Sequence, residues 1–546
     1  MRPEAHDGEP TRTGRGRRRL PHWARRHRWF LVVLALGTAL RALAMLGYRP
    51  ALWFPDSYTY IVTVFKPRPD LVRPAGYSMF MKLLEPLHAF GAVTAAQHLL
   101  GLATGVLVYR AVLRAAPRAP RWVATLATVP VLLDAYQIEL EHLLVSDTLF
   151  MFLVVAAVAL CATRRTATAA AIGLLLAAAT LTRTVGQPLI VVLAAWFVLR
   201  GWLWPPDSPR RRTRPTDGRA EPGTAPARRA GVRFRAPGFR APGFRAPGFR
   251  AAAFRPAAVL LAAALVPIVA YGAWFYVTYQ RVGLVGANGV FLYARTMSFA
   301  DCDRMDPPPD LRILCDPRPP EQRPPSQEYI WAKDAPLVLL PGITFSKEND
   351  DLAARFAMLA LTSQPLDYAA SVLEELGRSF TWDRPIYPDA EIYGYYQFPV
   401  TEPGPPGRYP AQVGAEYAKL YEQGAIGTEI VEPFAGWLRA YQSMVRLPGP
   451  VLLGILLVPP VAAVARRRRR ERPAAGPVWL VPWSAAIVLL ITPAAAAEFD
   501  YRYVLPAVPL ACLAAAQSIR PDLLRQSGGD QRAKEFGDDI PPNVRL

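Results

Sequence analysis

Apolar runs of about 18–23 residues, each long enough as a helix to cross a hydrocarbon core of roughly 30 Å, alternate with strongly polar stretches along this chain. That alternation excludes a lone soluble domain. The runs place spans near 29–46, 91–113, 121–138, 144–163, 167–182, 185–203, 256–279, 447–465, 476–496 and 503–519. The expected fold is an all-α polytopic membrane protein of about ten transmembrane helices, with one mixed extracytoplasmic domain inserted after the seventh span. A mean hydropathy of +0.13 is the average of these two populations.

Charge orients the chain. The tail 1–28 carries Arg15, Arg17, Arg18, Arg19, Arg25, Arg26 and Arg28 ahead of the first span, and such clusters stay cytoplasmic. The tail is too basic, and too long before its apolar run, for a cleaved signal peptide. With the N-terminus inside, the cytoplasmic connections are Arg114 to Arg121, Arg164-Arg165, 204–255 and Arg466 to Arg472, and each is basic. Residues 281–445, expected outside, hold 22 acidic and 14 basic residues, a net of −8, so against the chain total of +20 the remainder carries +28. A multi-pass cell-membrane protein follows, with both the N-terminus and the 520–546 tail cytoplasmic.

Two polar segments differ in kind. Residues 204–255 are rich in Pro, Arg, Gly and Ala and repeat FRAPG three times from Phe234, a composition that builds no core. They read as a disordered cytoplasmic linker, or as an arginine-rich arm on anionic headgroups. The extracytoplasmic segment 280–446 carries aromatics, among them Tyr329, Trp331, Trp382, Tyr396 and Trp437, and is expected to fold. Proline-rich patches at 307–325 and 403–410 break it into short helices and loops, the form of a lid or binding loop on a membrane scaffold. Of four cysteines, Cys161 and Cys512 lie inside apolar runs. Cys302 and Cys315, facing an oxidising compartment, are expected to form a disulfide. No Cys/His cluster has zinc spacing.

Ionisable residues at span edges are functional hypotheses, because charge in or beside lipid is costly. They gather at the outer ends: WFPDSYTYI (53–61), LVRPAGYSMFMKLLEPL (71–87), IELEHLLVSDTLF (138–150), TLTRTVGQP (180–188) and EFDYRYVLPAVPL (498–510). Asp56 follows Pro55 near the start of a short helix, as a catalytic base, a metal ligand or simply a capping residue. Arg73, Arg183 and Arg502 break the positive-inside trend, and three guanidiniums on one side suit a phosphate, against the plainer reading of snorkelling anchors. Glu139, Glu141, His142 and Asp147 crowd a second outer loop. Asp147, one turn inside the interface, requires an arginine or metal partner.

These residues resemble the integral-membrane GT-C glycosyltransferases, in particular the family-39-like branch that includes protein O-mannosyltransferases and lipid A aminoarabinose transferases. The likeness is carried by DSYTY after the first span, RPAGYSMFMKLL opening the next helix, SDTLFMFLVVAAV, LTRTVGQPL, and YRYVLPAVPL near the end. It covers the first 200 residues and the last 50 but not 281–445. The resemblance implies that Asp56 is the catalytic base or acceptor-orienting residue, and it carries the family's acidic residue at the head of the fourth span onto Asp147 as a second catalytic residue. It implies that Arg73 contacts the lipid phosphate, and it carries the family's arginine before the sixth span onto Arg183. Together with Arg502, these arginines suit donor-phosphate binding. Asp56 is followed by Ser57 rather than by the Asp-Glu pair of the protein mannosyltransferases, which puts a protein hydroxyl acceptor in doubt.

The implied activity is inverting transfer of a sugar from a polyprenyl-phosphate donor to an extracytoplasmic glycan, lipid or protein. The expected partners are that donor, the bilayer and the acceptor, with no nucleic acid. No cofactor is assigned with certainty. Family members differ in their use of a divalent metal ion, and Glu141 and His142 are the candidates for acceptor or metal contact. Two rival classes are a transporter or flippase of a lipid-linked glycan intermediate and a scaffold subunit. The first predicts repeat symmetry that the sequence does not display, and the second leaves the outer-face charges unexplained.

Overall fold

The computed structural model describes residues 22–117, 119–163, 165–203, 247–402, 404–405, 409–468 and 477–519. The arginines at 15–19, Arg164, the linker over 204–246, the basic run at 469–472 and the 520–546 tail lie outside the described residues. Topology expectations resting on them are therefore untouched.

The described chain is mostly helical, with almost no strand. The first half runs α1 (Arg28–Gly47), α2 (Pro55–Phe65), α3 (Gly76–Leu84), α4 (Phe90–Ala115), α5 (Arg121–Leu133) and α6 (Ala135–His142). It continues through α7 (Asp147–Leu160), α8 (Thr166–Thr182), α9 (Thr184–Leu203) and α10 (Pro247–Tyr279). The second half runs α11 (Asn288–Thr296), α12 (Lys347–Ser363), α13 (Pro365–Arg378), α14 (Tyr409–Glu422), α15 (Phe434–Met444), α16 (Gly449–Arg468), α17 (Leu480–Ala496) and α18 (Val508–Ser518). Two two-residue strands, β1 (Tyr48–Arg49) and β2 (Glu429–Ile430), pair antiparallel with Tyr48 opposite Ile430.

Among the described residues five helices are long and apolar enough to cross a membrane: α1, α4, α9, the Phe254–Tyr279 part of α10, and α16. The bent pair α5–α6 makes a sixth if taken as one span. The stretches expected at 144–163, 167–182 and 476–496 form the shorter apolar helices α7, α8 and α17. The 503–519 run is split by the 3-10 turn Leu505–Ala507. The count of ten is thus not reached by length and composition. Much of α7, α8 and α18 is buried against other helices, so these segments need present little surface to lipid. A second difference lies at the linker, where α10 begins at Pro247 rather than at 256.

Local chemistry sets the helix starts that matter for the site. Pro55 occupies the first position of α2, where no backbone donor is required, and Ser57 Oγ accepts from Phe54 N at 3.0 Å. The bend of 50° between α5 and α6 falls at Asp134, whose Oδ1 accepts from Tyr136 N at 2.9 Å and Gln137 N at 3.1 Å and caps α6. Small residues set one close packing: a Cβ on Gly173 of α8 would run into the Leu260 carbonyl and Ala263 of α10, the close approach that small residues permit between membrane helices.

The largest apolar core joins α4, α7, α8, α9, α10, α16, α17 and α18. The segment 281–445 does not stand as one appended unit. Its first part builds a separate core from Val290, Tyr293, Leu314, Tyr329 and Phe356, held also by the Cys302–Cys315 disulfide. Its later part packs onto the loop after α1. Ile392, Tyr396, Phe398 and Leu438 join Tyr48, Leu52 and Phe54, while Ala411, Ala415 and Tyr421 join Trp53, Tyr58 and Phe90.

Candidate active site

A cavity of about 1240 Å³ opens between the ends of the apolar helices and the 281–445 segment, and Asp56, Arg73, Asp147, Arg183 and Arg502 all line it. Five residues from five separate stretches of sequence converge on one space.

Asp56, in the first turn of α2, is 8% exposed. Its Oδ1 is paired with Arg73 Nη2, and its Oδ2 accepts from Arg502 Nη1 at 3.0 Å. Both oxygens therefore serve guanidiniums rather than a helix N-terminus, and the capping reading is set aside. Burial alone would raise the Asp56 carboxyl, yet Arg73 and Arg502 hold it well below the usual carboxylate range. Arg73 sits in the turn before α3, which Asp70 shapes by accepting from Val72 N at 2.8 Å and Arg73 N at 2.9 Å. Immediately beyond, Gly76 lies against α8: a Cβ there would be 2.6 Å from the Leu181 carbonyl carbon and 2.8 Å from Thr182 N. The RPAG turn is thus seated directly on the backbone that leads into Arg183.

Asp147 is the first residue of α7, so the helix expected from about 144 begins at 147. Its Oδ1 is ion-paired with Arg183 Nη1, and its buried Oδ2 has no hydrogen-bond partner among the described residues. Arg183 is the extended residue between α8 and the turn Thr184–Gly186, and its guanidinium lies 4.9 Å from the Tyr503 ring centroid. Arg502 lies on the short helix Tyr501–Val504, its Nε 3.0 Å from Asp500 Oδ2 and its guanidinium 4.5 Å from the Phe54 ring centroid. Three arginines and three aspartates leave the cluster close to neutral. A phosphate entering it competes with carboxylates for fork-shaped donors it can bind bidentately.

Glu141 and His142 belong elsewhere. They lie on α6, which is buried along its whole length, so the expected second outer loop is a helix instead. Arg41 of α1 grips Glu141 at both oxygens, Nε to Oε2 and Nη2 to Oε1, each at 2.7 Å. His98 Nδ1 is 3.1 Å from Glu141 Oε2, and His98 Nε2 is 3.0 Å from His142 Nδ1. His142 Nε2 donates to the Tyr48 carbonyl at 2.5 Å. Every polar atom of this pair is committed within the protein, so the two residues do not fit a metal ion. Among the described residues no group of three or more His, Cys, Asp or Glu is arranged to hold one.

Sequence reasoning passed over four contributors. Asp500 and Tyr503 flank Arg502 in the quoted EFDYRY string, Tyr60 lines the cavity and donates to Ser146 Oγ at 3.1 Å, and Glu498 lines it from the loop after α17. Burial, aided by neighbouring Glu375, pushes the Glu498 carboxyl up to about 8. Arg41 had a readable signal: a charge inside an apolar run demands a partner.

No family model matches the sequence, and no curated protein matches it. Among solved structures the chain is similar to the archaeal oligosaccharyltransferase AglB from Archaeoglobus fulgidus in complex with an inhibitory peptide and a dolichol-phosphate. That likeness has 13% identity and a TM-score of 0.36, over 96% of this chain and 53% of that one. The chain thus spans about half the length of AglB. It is also similar to ArnT from Cupriavidus metallidurans bound to undecaprenyl phosphate, at 13% identity and a TM-score of 0.29 over 95% and 82% of the two chains. Neither score reaches the level at which a common fold is shown.

Proposed function

We propose that this chain is a membrane glycosyltransferase that moves a sugar, with inversion, from a polyprenyl-phosphate donor to an acceptor on the extracytoplasmic face. The observation that carries this reading is the meeting of Arg73, Arg183 and Arg502 with Asp56 and Asp147 around one cavity at the ends of apolar helices. The motif resemblance noted in the sequence points to the same residues.

In the proposed reaction the acceptor oxygen attacks the anomeric carbon, the bond from that carbon to the phosphate oxygen breaks, and the lipid phosphate leaves with the electron pair. Negative charge grows on the phosphate as that bond lengthens. Fixed guanidiniums aimed at it in a water-poor site stabilise the transition state, at about 3–4 kcal/mol for a well-placed donor. The acceptor proton passes to a carboxylate within hydrogen-bond reach, the role we assign to Asp56. In the resting arrangement Asp56 is a poor base because two guanidiniums hold it. A phosphate that draws Arg73 and Arg502 toward itself releases the carboxylate, so the base is unmasked only when donor is bound. Asp147 then keeps Arg183 oriented.

The test is transfer of radiolabelled sugar from a panel of polyprenyl-monophosphate donors into membrane acceptors, comparing wild type with Asp56→Asn and Arg73→Ala at equal expression. Loss of transfer in both variants supports the assignment and identifies the donor. No donor consumed by wild type, or variants equal to wild type, sinks it and makes transport of a lipid-linked glycan the reading to pursue.

A further inference from the structure

Helix α13 is built inside out for a helix surrounded by water. Leu366, Ala369, Ala370, Leu373 and Gly377 recur at helical spacing on one face, and all are exposed, with Leu366 82% and Leu373 67% accessible. Tyr368, Ser371 and Glu375 point inward, while Asp367 and Glu374 stay solvent-accessible at the flank of the stripe, paired with Arg304 and Arg378. Tyr368 donates to the Ala495 carbonyl at 3.1 Å, and Ser371 Oγ accepts from Arg295 Nη2 at 3.0 Å. Glu375 accepts from Phe499 N at 2.6 Å and Tyr387 OH at 2.9 Å. A free amphipathic helix turns its polar face to water and its apolar face to its support; here the protein occupies the polar face, so the apolar one needs a different partner.

The position of α13 identifies that partner. Its body is tied to the end of α17 through Ala495, and Arg295, which it also holds, donates to Ala494 O at 2.9 Å. Leu376, and Phe380 just beyond the helix, pack against the core shared by the membrane helices. Thr381 O then accepts from Gly449 N, the first residue of α16, at 3.1 Å, with no room for a Cβ on Gly449. Beyond the helix Trp382 (60%) and Ile386 (67%) are exposed, and Val451 on α16 and Ile491 on α17 are exposed as well. An exposed tryptophan just beyond an apolar stripe, one residue from the carbonyl that meets the start of the membrane-long helix α16, is the pattern of a bilayer interface.

We propose that α13 is a membrane-surface helix, with the Leu366–Leu373 stripe seated at the headgroup–acyl boundary of the leaflet on the cavity side, a depth of about 5–10 Å. The same helix holds Phe499, between the cavity residues Glu498 and Asp500, through Glu375. The lipid surface therefore bears on one wall of the cavity through a single rigid element. This inference does not depend on the transferase reading.

The test uses the full-length protein in nanodiscs of phosphatidylcholine with unmodified or acyl-brominated chains. Single cysteines at Leu366 and Leu373 carry an environment-sensitive fluorophore; Val464→Cys on α16 is the lipid control and Asp351→Cys on α12 the aqueous one. The native Cys161 and Cys512 are buried, and labelled wild type gives the background. Ala369→Cys and Ala370→Cys repeat the measurement with a smaller change, should the leucine variants misfold. The expected result is a blue-shifted emission and about a two-fold loss of intensity in brominated lipid at 366 and 373, as at 464 and unlike 351. Unquenched labels at 366, 369, 370 and 373 beside a quenched 464 overturn the proposal. So does a blue shift that ignores bromine and grows with protein per disc, which would mean that a second copy covers this face.

Discussion

Arg502 reaches Asp56 across 446 positions of sequence, its Nη1 donating to Oδ2 at 3.0 Å, while Arg73 takes the other oxygen. The last outer stretch and the first are thereby locked on a single carboxylate. Under the proposed reaction Arg502→Ala removes one phosphate donor and one clamp on Asp56 together. Transfer should fall about 10²–10³-fold, mainly in kcat. Arg502→Lys should recover only part of it, because an ammonium cannot replace a planar fork. Steady-state transfer kinetics at saturating donor check this, and a wild-type kcat in Arg502→Ala would remove the residue from the mechanism.

Glu498 sets a pH dependence of stability. Its carboxyl is raised from 4.5 to about 8 in the folded protein, first by burial and then by Glu375. Between those values the folded state holds the proton more tightly than the unfolded state, so this group's contribution to stability declines as pH rises from about 4.5 and levels off above about 8. Asp56 works in the opposite sense: its carboxyl is held low, so its contribution is present at neutral pH and is lost only in strong acid. Thermal unfolding in detergent across pH 5 to about 8 should show a shallower decline for Glu498→Gln than for wild type. Parallel curves would mean that Glu498 is ionised throughout.

Gly76 is the seat of the RPAG turn. A methyl group there meets the backbone of Leu181 and Thr182 rather than a movable side chain, so Gly76→Ala should cost about 1–3 kcal/mol by overpacking. It should also lower transfer by moving Arg73 relative to Arg183. A Tm unchanged from wild type would contradict the close approach.

The Arg41–Glu141 pair is structural in this arrangement. Glu141→Ala should destabilise by about 3–5 kcal/mol, because it leaves a buried guanidinium without its counter-ion. The double variant Arg41→Ala/Glu141→Ala should be less destabilised than the sum of the singles. Added divalent cation should not rescue Glu141→Ala; rescue would return Glu141 to the list of metal ligands.

The Cys302–Cys315 bridge closes a loop with a sequence separation of 13 beside the Tyr293–Phe356 core. Its removal by Cys302→Ser should cost about 3 kcal/mol. Limited proteolysis should show the loss first within 288–363, with α7 and α8 still protected. Uniform loss across the chain would mean that this part does not unfold separately.

Much of the site was legible in the sequence because helix edges are written locally. Pro55 and Ser57 start α2, Asp147 heads α7, and Arg183 closes α8; a charge at such an edge stands out against an apolar run. Glu141 and His142 misled for the same reason: read locally, two polar residues after an apolar run form a loop. The partners that bury them, Arg41 and His98, come from other helices, 100 and 44 positions away.

By itself the sequence determined where most of the apolar helices lie, though not α6 or the start of α10, since run length and proline or capping residues act over a few neighbours, and it determined which charges lie at many of their ends. Only the tertiary structure decided which of those charges face one another. Asp56 chooses Arg73 and Arg502, Asp147 chooses Arg183, and α13 turns its polar face inward, because these pairings are set by how distant helices pack. An ion pair is stable at low dielectric only where packing brings both partners to the same place.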